Sequence, residues 1–74
     1  MKETLLSLGW TCQPCNCPGA KGVDCAHPDH PRVMISIRSL GKNQNQFRII
    51  KKSLVVDTGL EYQLDDKLIS HGLQ

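Results

Sequence analysis

Apolar and polar residues alternate along residues 32–40, "RVMISIRSL". Val33, Ile35 and Ile37 fall on one side of an extended chain and Ser36 and Arg38 on the other. This period predicts a strand with one face buried. "FRIIKK" and "SLVVDTG" read as two further strand pieces around a turn near Lys52 and Ser53, although the adjacent pairs Ile49-Ile50 and Val55-Val56 blur the alternation. The polar run "GKNQNQ" between them reads as a loop. At the two ends of the chain the period changes. Residues 2–8 predict a short helix with Leu5, Leu6 and Leu8 as its apolar contacts and Gly9 as its stop. "TGLEYQLDDKLISHG" predicts a second helix. Leu60, Leu64 and Leu68 recur there at i, i+4 and i+8, Thr58 and Glu61 are spaced as a capping box, and Gly72 ends the run. Helices under about 12 residues rarely persist alone, so each needs a sheet to lie on.

Residues 9–31 follow neither period and hold all four prolines and all four cysteines. Short strands fit near residues 10–12 and 22–26, and "HPDHP" reads as a turn fixed by its two prolines. The pattern as a whole predicts a single α+β domain over residues 1–74. Its core is a small antiparallel sheet of three to four strands flanked by an N-terminal and a C-terminal helix, with a Cys/Pro-rich irregular segment at 9–31.

Composition narrows this picture. A chain of 74 residues hides only about 60% of its unfolded surface, so its core is marginal and a covalent or metal staple would help. No run approaches the roughly 18 apolar residues of a membrane span. In "MKETLLSLGW" the apolar part is too short for a signal peptide, and Glu3 and Gly9 interrupt it. The expectation is a cytoplasmic protein with reduced thiols. The net charge is only +2, but no acid lies between Asp29 and Asp57, an interval that holds Arg32, Arg38, Lys42, Arg48, Lys51 and Lys52. Such a stretch is either an electrostatic footprint for phosphates or a solvated sheet face.

The cysteines admit three chemistries. "WTCQPC" has the spacing of a redox dithiol, but that chemistry needs the first cysteine at a helix N-terminus, and "NCPGAKG" cannot continue a helix. A structural zinc would take two ligand pairs from two chain segments: Cys12 with Cys15, and Cys25 with His30 or His27, leaving Cys17 spare. Alternatively the cysteines are small buried hydrophobes on paired strands, with an incidental disulfide in an oxidised chain. Without a metal, His27 and His30 are exposed turn residues and His71 is a dipole partner at the end of the last helix. Asp65 and Asp66 face different directions on a helix, and "GAKG" is too short to cradle a phosphate.

Several short motifs together, "LLSLGW", "GAK" and "HPDHPRVMISI", resemble the HicA-like (YcfA-type) RNA-cleaving toxins, a family with a fold like a double-stranded-RNA-binding domain. "ISIRS" and "YQLDDKL" are similar to segments of small HicA-like proteins of phage and mobile elements. The resemblance implies an α-β-β-β-(β)-α order and RNA as the partner. It also places the family's catalytic histidine at Lys21, and lysine cannot supply a near-neutral acid–base group. The implied function is therefore a non-catalytic nucleic-acid-binding module using Lys21, Arg38, Arg48, Lys51 and Lys52 against phosphates. The alternatives are a zinc-stapled domain that binds a protein partner, with Cys12, Cys15, Cys25 and His30 as ligands, and an active ribonuclease.

Overall fold

A computed structural model of the chain describes residues 2–15, 22–39 and 44–73. The elements run α1 (Lys2–Ser7), β1 (Thr11–Cys15), β2 (Gly22–His27), β3 (His30–Ser39), β4 (Asn45–Lys51), β5 (Leu54–Leu60), a 3-10 turn (Glu61–Gln63) and α2 (Leu64–Ser70). The five strands form one antiparallel sheet in sequence order. The α+β class and the flanking helices agree with the sequence pattern, but there are five strands where three to four are expected. The difference lies in the segment read as irregular. Its Thr11–Cys15 and Gly22–His27 parts pair residue for residue, with Cys12 opposite Cys25. Pro14 is tolerated because β1 is an edge strand, where a missing N–H need not break the ladder.

Strand alternation divides the sheet into two faces. One carries the rows Cys12–Cys25–Ile35–Ile49–Asp57 and Pro14–Val23–Ile37–Phe47–Gly59. Cys25, Ile35, Ile37, Phe47 and Ile49 are buried there with Leu5 and Trp10 from the N-terminal end and Leu64, Leu68 and Leu73 from the C-terminal end. Gly59 is required in the second row: a Cβ at this position would lie 2.9 Å from Cζ of Phe47. The opposite face, described below, carries no helix.

The two helices end alike. Gly9 (φ 95°) and Gly72 (φ 68°) adopt left-handed backbone after α1 and α2. Trp10 N–H donates to Leu5 O (3.0 Å) and Gly9 N–H to Leu6 O (3.1 Å); Leu73 N–H donates to Leu68 O (2.8 Å) and Gly72 N–H to Ile69 O (3.1 Å). Both are Schellman closures, and in both the residue after the glycine, Trp10 or Leu73, is buried in the same cluster as the helix leucine it bonds.

Two irregularities explain the blurred period. Ile49 pairs with Asp57 and Ile50 with Val55, so Val56 is an extra, bulged residue, and the two flanks of Val55-Val56 keep separate registers. The β4–β5 hairpin turns on Lys52 (φ 53°) and Ser53 (φ 68°), the doubly left-handed pattern of a type I′ turn. The second helix starts later than its sequence suggests. Thr58 and Glu61 do not form a capping box: Thr58 lies in β5 and gives its hydroxyl to Phe47 O (3.1 Å), and Glu61 accepts from Asn45 Nδ2 (3.4 Å). Gln63 Oε1 instead accepts the N–H of Leu60 (3.0 Å). Leu60, 38% exposed, therefore leaves the apolar stripe, which comprises Leu64, Leu68 and Leu73.

Among the described residues, no helix is long and apolar enough to cross a membrane. Truncating the fully buried Leu68 to Ala should destabilise the fold by about 2–5 kcal/mol in urea unfolding. A loss under about 0.5 kcal/mol would mean that α2 does not close this core.

Candidate functional site

The cations singled out by the sequence do not form one patch. Arg38 and Arg48 stand on the helix-free face, in the rows Gly22–Arg38–Gln46–Leu60 and Gln13–Asp24–Ser36–Arg48–Thr58. Arg38 Nη1 reaches Asp24 Oδ1 (3.3 Å) and Ile37 O (3.1 Å), and the buried Ser36 hydroxyl donates to the same Asp24 oxygen (2.9 Å). Arg48 is exposed in the row of Asp24 and Ser36. Lys52 projects from the hairpin turn, and its N–H donates to Arg32 O (3.2 Å), which brings Arg32 to the same end of the sheet. Lys51 belongs to the helix side, where its Nζ meets His71 Nδ1 at 3.3 Å. Lys21 and Lys42 lie outside the described residues.

This last contact is part of a network that the sequence does not reveal. Asp57, on the inner face of β5, accepts from His71 Nε2 (2.9 Å, Oδ2), Lys67 Nζ (3.0 Å, Oδ1) and the backbone N–H of Thr58 (2.8 Å, Oδ1). The His71 hydrogen bond, the Lys67 bond and the Thr58 amide, in that order, hold the Asp57 carboxyl at about 2, below its ordinary 3.8. With Nε2–H given to Asp57, the His71 Nδ1 is left to accept a hydrogen bond from Lys51 Nζ. The chain Lys51–His71–Asp57–Lys67 ties the end of α2 to β4 and β5. His71 stands at the C-cap of α2, as the sequence places it, and is also held there by Lys51 and Asp57.

The cysteine region is built around Trp10, which is 2% exposed. Cys12 and Cys25, directly opposite on β1 and β2, form a disulfide. The dithiol reading of "CQPC" therefore fails, since Cys12 is bonded across the sheet. One rung away, Trp10 packs edge-on against His27 (ring centroids 5.2 Å, 69°) and stacks with His30 (6.2 Å, 19°). The Trp10 Nε1–H has no hydrogen-bond partner among the described residues. His27 is not an exposed turn residue: its Nε2–H donates to Leu8 O (3.1 Å) and its Nδ1 accepts from the Asp29 N–H (3.0 Å). Both ring nitrogens are engaged in bracing the Pro28–Asp29 turn against the end of α1, so His27 is poorly placed for acid–base work. Of the predicted zinc set, Cys12 and Cys25 are bonded to each other, His30 lies against Trp10, and Cys15 ends β1 opposite Gly22. Among the described residues no group of three or more His, Cys, Asp or Glu is arranged to hold a metal. Cys17 lies outside them.

Two measurements probe these contacts. The disulfide closes a loop across a sequence separation of 13, for which chain entropy gives about 3 kcal/mol. Reduction should lower the melting temperature accordingly, and peptide mapping should recover Cys12 joined to Cys25. An unchanged melting temperature would remove the bond from the stability of the domain. Asp57, with its depressed folded-state value, stabilises the native chain above its unfolded pKa near 4, and this contribution is lost as pH falls through about 2. Asp57→Asn should therefore be less stable than the parent at pH 7, with the difference shrinking between about pH 4 and pH 2. A difference that does not change with pH would show that the carboxylate charge plays no part.

No family model, curated protein or solved structure matches this chain.

Proposed function

We propose that the protein is a small, non-catalytic nucleic-acid-binding module, with RNA as the preferred ligand, and that it binds through the helix-free face of the sheet. The carrying observation is the charge balance of that face. Its one carboxylate, Asp24, is already held by Arg38 and Ser36, while Arg48, two strands away in the same row, and Arg32 and Lys52 at the hairpin end, meet no acid in the described contacts. The remaining acids are elsewhere: Glu3 on α1, Asp29 in a turn, Asp57 inside its network, Glu61 beside Asn45, and Asp65 and Asp66 on α2. A polyanion approaching this face meets cations without having to displace carboxylates.

The HicA-like kinship is part of the same proposal, supported by the order helix, antiparallel strands, helix and by the gathering of both helices on one face. A non-catalytic reading is supported by His27, whose ring is committed to backbone partners, and by His71, which is enclosed between Lys51 and Asp57. In a reducing cytoplasm, the expected location, the opposed Cys12 and Cys25 would become thiols. A structural zinc drawing on them, with Cys15 and His30, is proposed only for that reduced chain.

The test is fluorescence anisotropy with a short labelled RNA over a range of salt. Affinity should fall linearly on a log–log plot as salt rises. Replacing Arg48 and Lys52 together by Ala should flatten the slope by about two phosphate contacts, roughly 0.7–0.9 each. Undetectable binding at low salt, or a slope unchanged in the double variant, would leave the basic face as solvation.

A further inference from the structure

We propose that the nucleic acid this face takes is single-stranded, with its bases against an apolar row and its phosphates on the cations that border it. The proposal rests on the nucleic-acid reading above. Ala26, Met34, Ile50 and Val55 are successive partners across β2 to β5 and make one row on the helix-free face. Met34 is 40% and Val55 56% exposed. On one side, about 7 Å along the strands, lies the row that carries Arg48. On the other side Arg32 and Lys52 border a depression of about 400 Å³ against Met34 and Ile50. The apolar row thus runs between two cationic margins.

That arrangement suits a single strand better than a duplex. A duplex presents phosphates and sugars to a flat face and keeps its bases stacked inside. Seating its phosphates on Arg48 and Lys52 would strip water from charged groups above Met34, Ile50 and Val55 and return no apolar contact, an uncompensated desolvation. A single strand can turn unstacked bases toward the row while its backbone follows the cations. The Met34 thioether is a polarizable surface for a base. No aromatic ring stands in these rows, since Phe47 is on the opposite face, so each base gains less than on an aromatic platform. A protein segment could also cover the row. Cations on both margins, with the face's one carboxylate already neutralised, favour a polyanion.

The experiment compares a labelled 12-nucleotide RNA with the same strand annealed to its complement at low salt, using the full chain with its disulfide intact. The single strand should bind at least about fivefold tighter, the factor given by one weak base contact. Met34→Ser, at a 40% exposed position, should weaken single-strand binding about threefold or more and leave duplex binding unchanged, with circular dichroism confirming the fold. Arg48→Ala should weaken both. Equal or tighter duplex binding, or an equal effect of Met34→Ser on both ligands, would overturn this proposal and leave the nucleic-acid reading standing. So would displacement of the RNA by polyglutamate as effectively as by unlabelled RNA. If neither form binds, the nucleic-acid reading falls and this proposal with it.

Discussion

Two helices of six and seven residues are too short to hold themselves together, and everything in this fold depends on how they are kept on the sheet. Each helix brings little apolar surface of its own: Leu5 from α1, Leu64 and Leu68 from α2. The Schellman closures extend that surface by one large residue per helix. Gly9 and Gly72 reverse the chain so that Trp10 and Leu73 fold back under the same helix that precedes them. The sheet supplies the other half of the core from only two rows. A marginal core of this kind leaves the ends of the helices as weak points, and each end has a specific tie. At α1 the tie is the imidazole of His27 bonded to Leu8 O, beside the disulfide. At α2 it is His71 and Lys67 bonded to Asp57. His27, a candidate metal ligand in the sequence, and His71 thus serve the helix ends.

The legible parts of the fold were those in which one face of a regular element is buried. The β3 alternation, the glycine stops of both helices and the turn at Lys52-Ser53 all follow from local chemistry, and all stand in the structure. The misread parts each had a non-local cause. Thr58 has the right spacing to cap a helix, but its hydroxyl is taken by Phe47 O on the neighbouring strand, and Gly59 is held in the strand under the Phe47 ring. Residues 9–31 look irregular because proline and cysteine obscure the alternation. Yet Cys12, Cys25 and Pro14 sit at acceptable places once β1 is recognised as an edge. The disulfide was discounted on compartment, an argument blind to register: whether two cysteines can meet is decided by strand pairing. The Lys51–His71–Asp57–Lys67 network spans 20 residues between its first two members and leaves no trace in spacing or motif. Its one sequence cue is a lone carboxylate, Asp57, in an otherwise uncharged strand.

The same division of labour bears on function. A chain with a charge of only +2 cannot attract a polyanion through its overall charge, so what matters is how its charges are distributed. On the helix side, Asp57 absorbs Lys67 and, through His71, faces Lys51, so those cations are largely spent on holding α2 in place. On the open side, Asp24 absorbs Arg38 alone. Arg32, Arg48 and Lys52 are the cations left over once these structural needs are met, and they fall on the same face of the sheet, Arg48 on one margin of the Met34–Ile50 row and Arg32 and Lys52 on the other. The acid-free interval of the sequence is therefore a composite of structural and available charge. Counting it whole overstates the available charge by including Lys51 and Arg38, whereas sorting it by partner leaves a smaller set next to an exposed apolar row. If that face is the binding surface proposed above, the ligand that suits it offers both negative charge and apolar surface, and this pairing, more than the number of basic residues, sets its choice of partner.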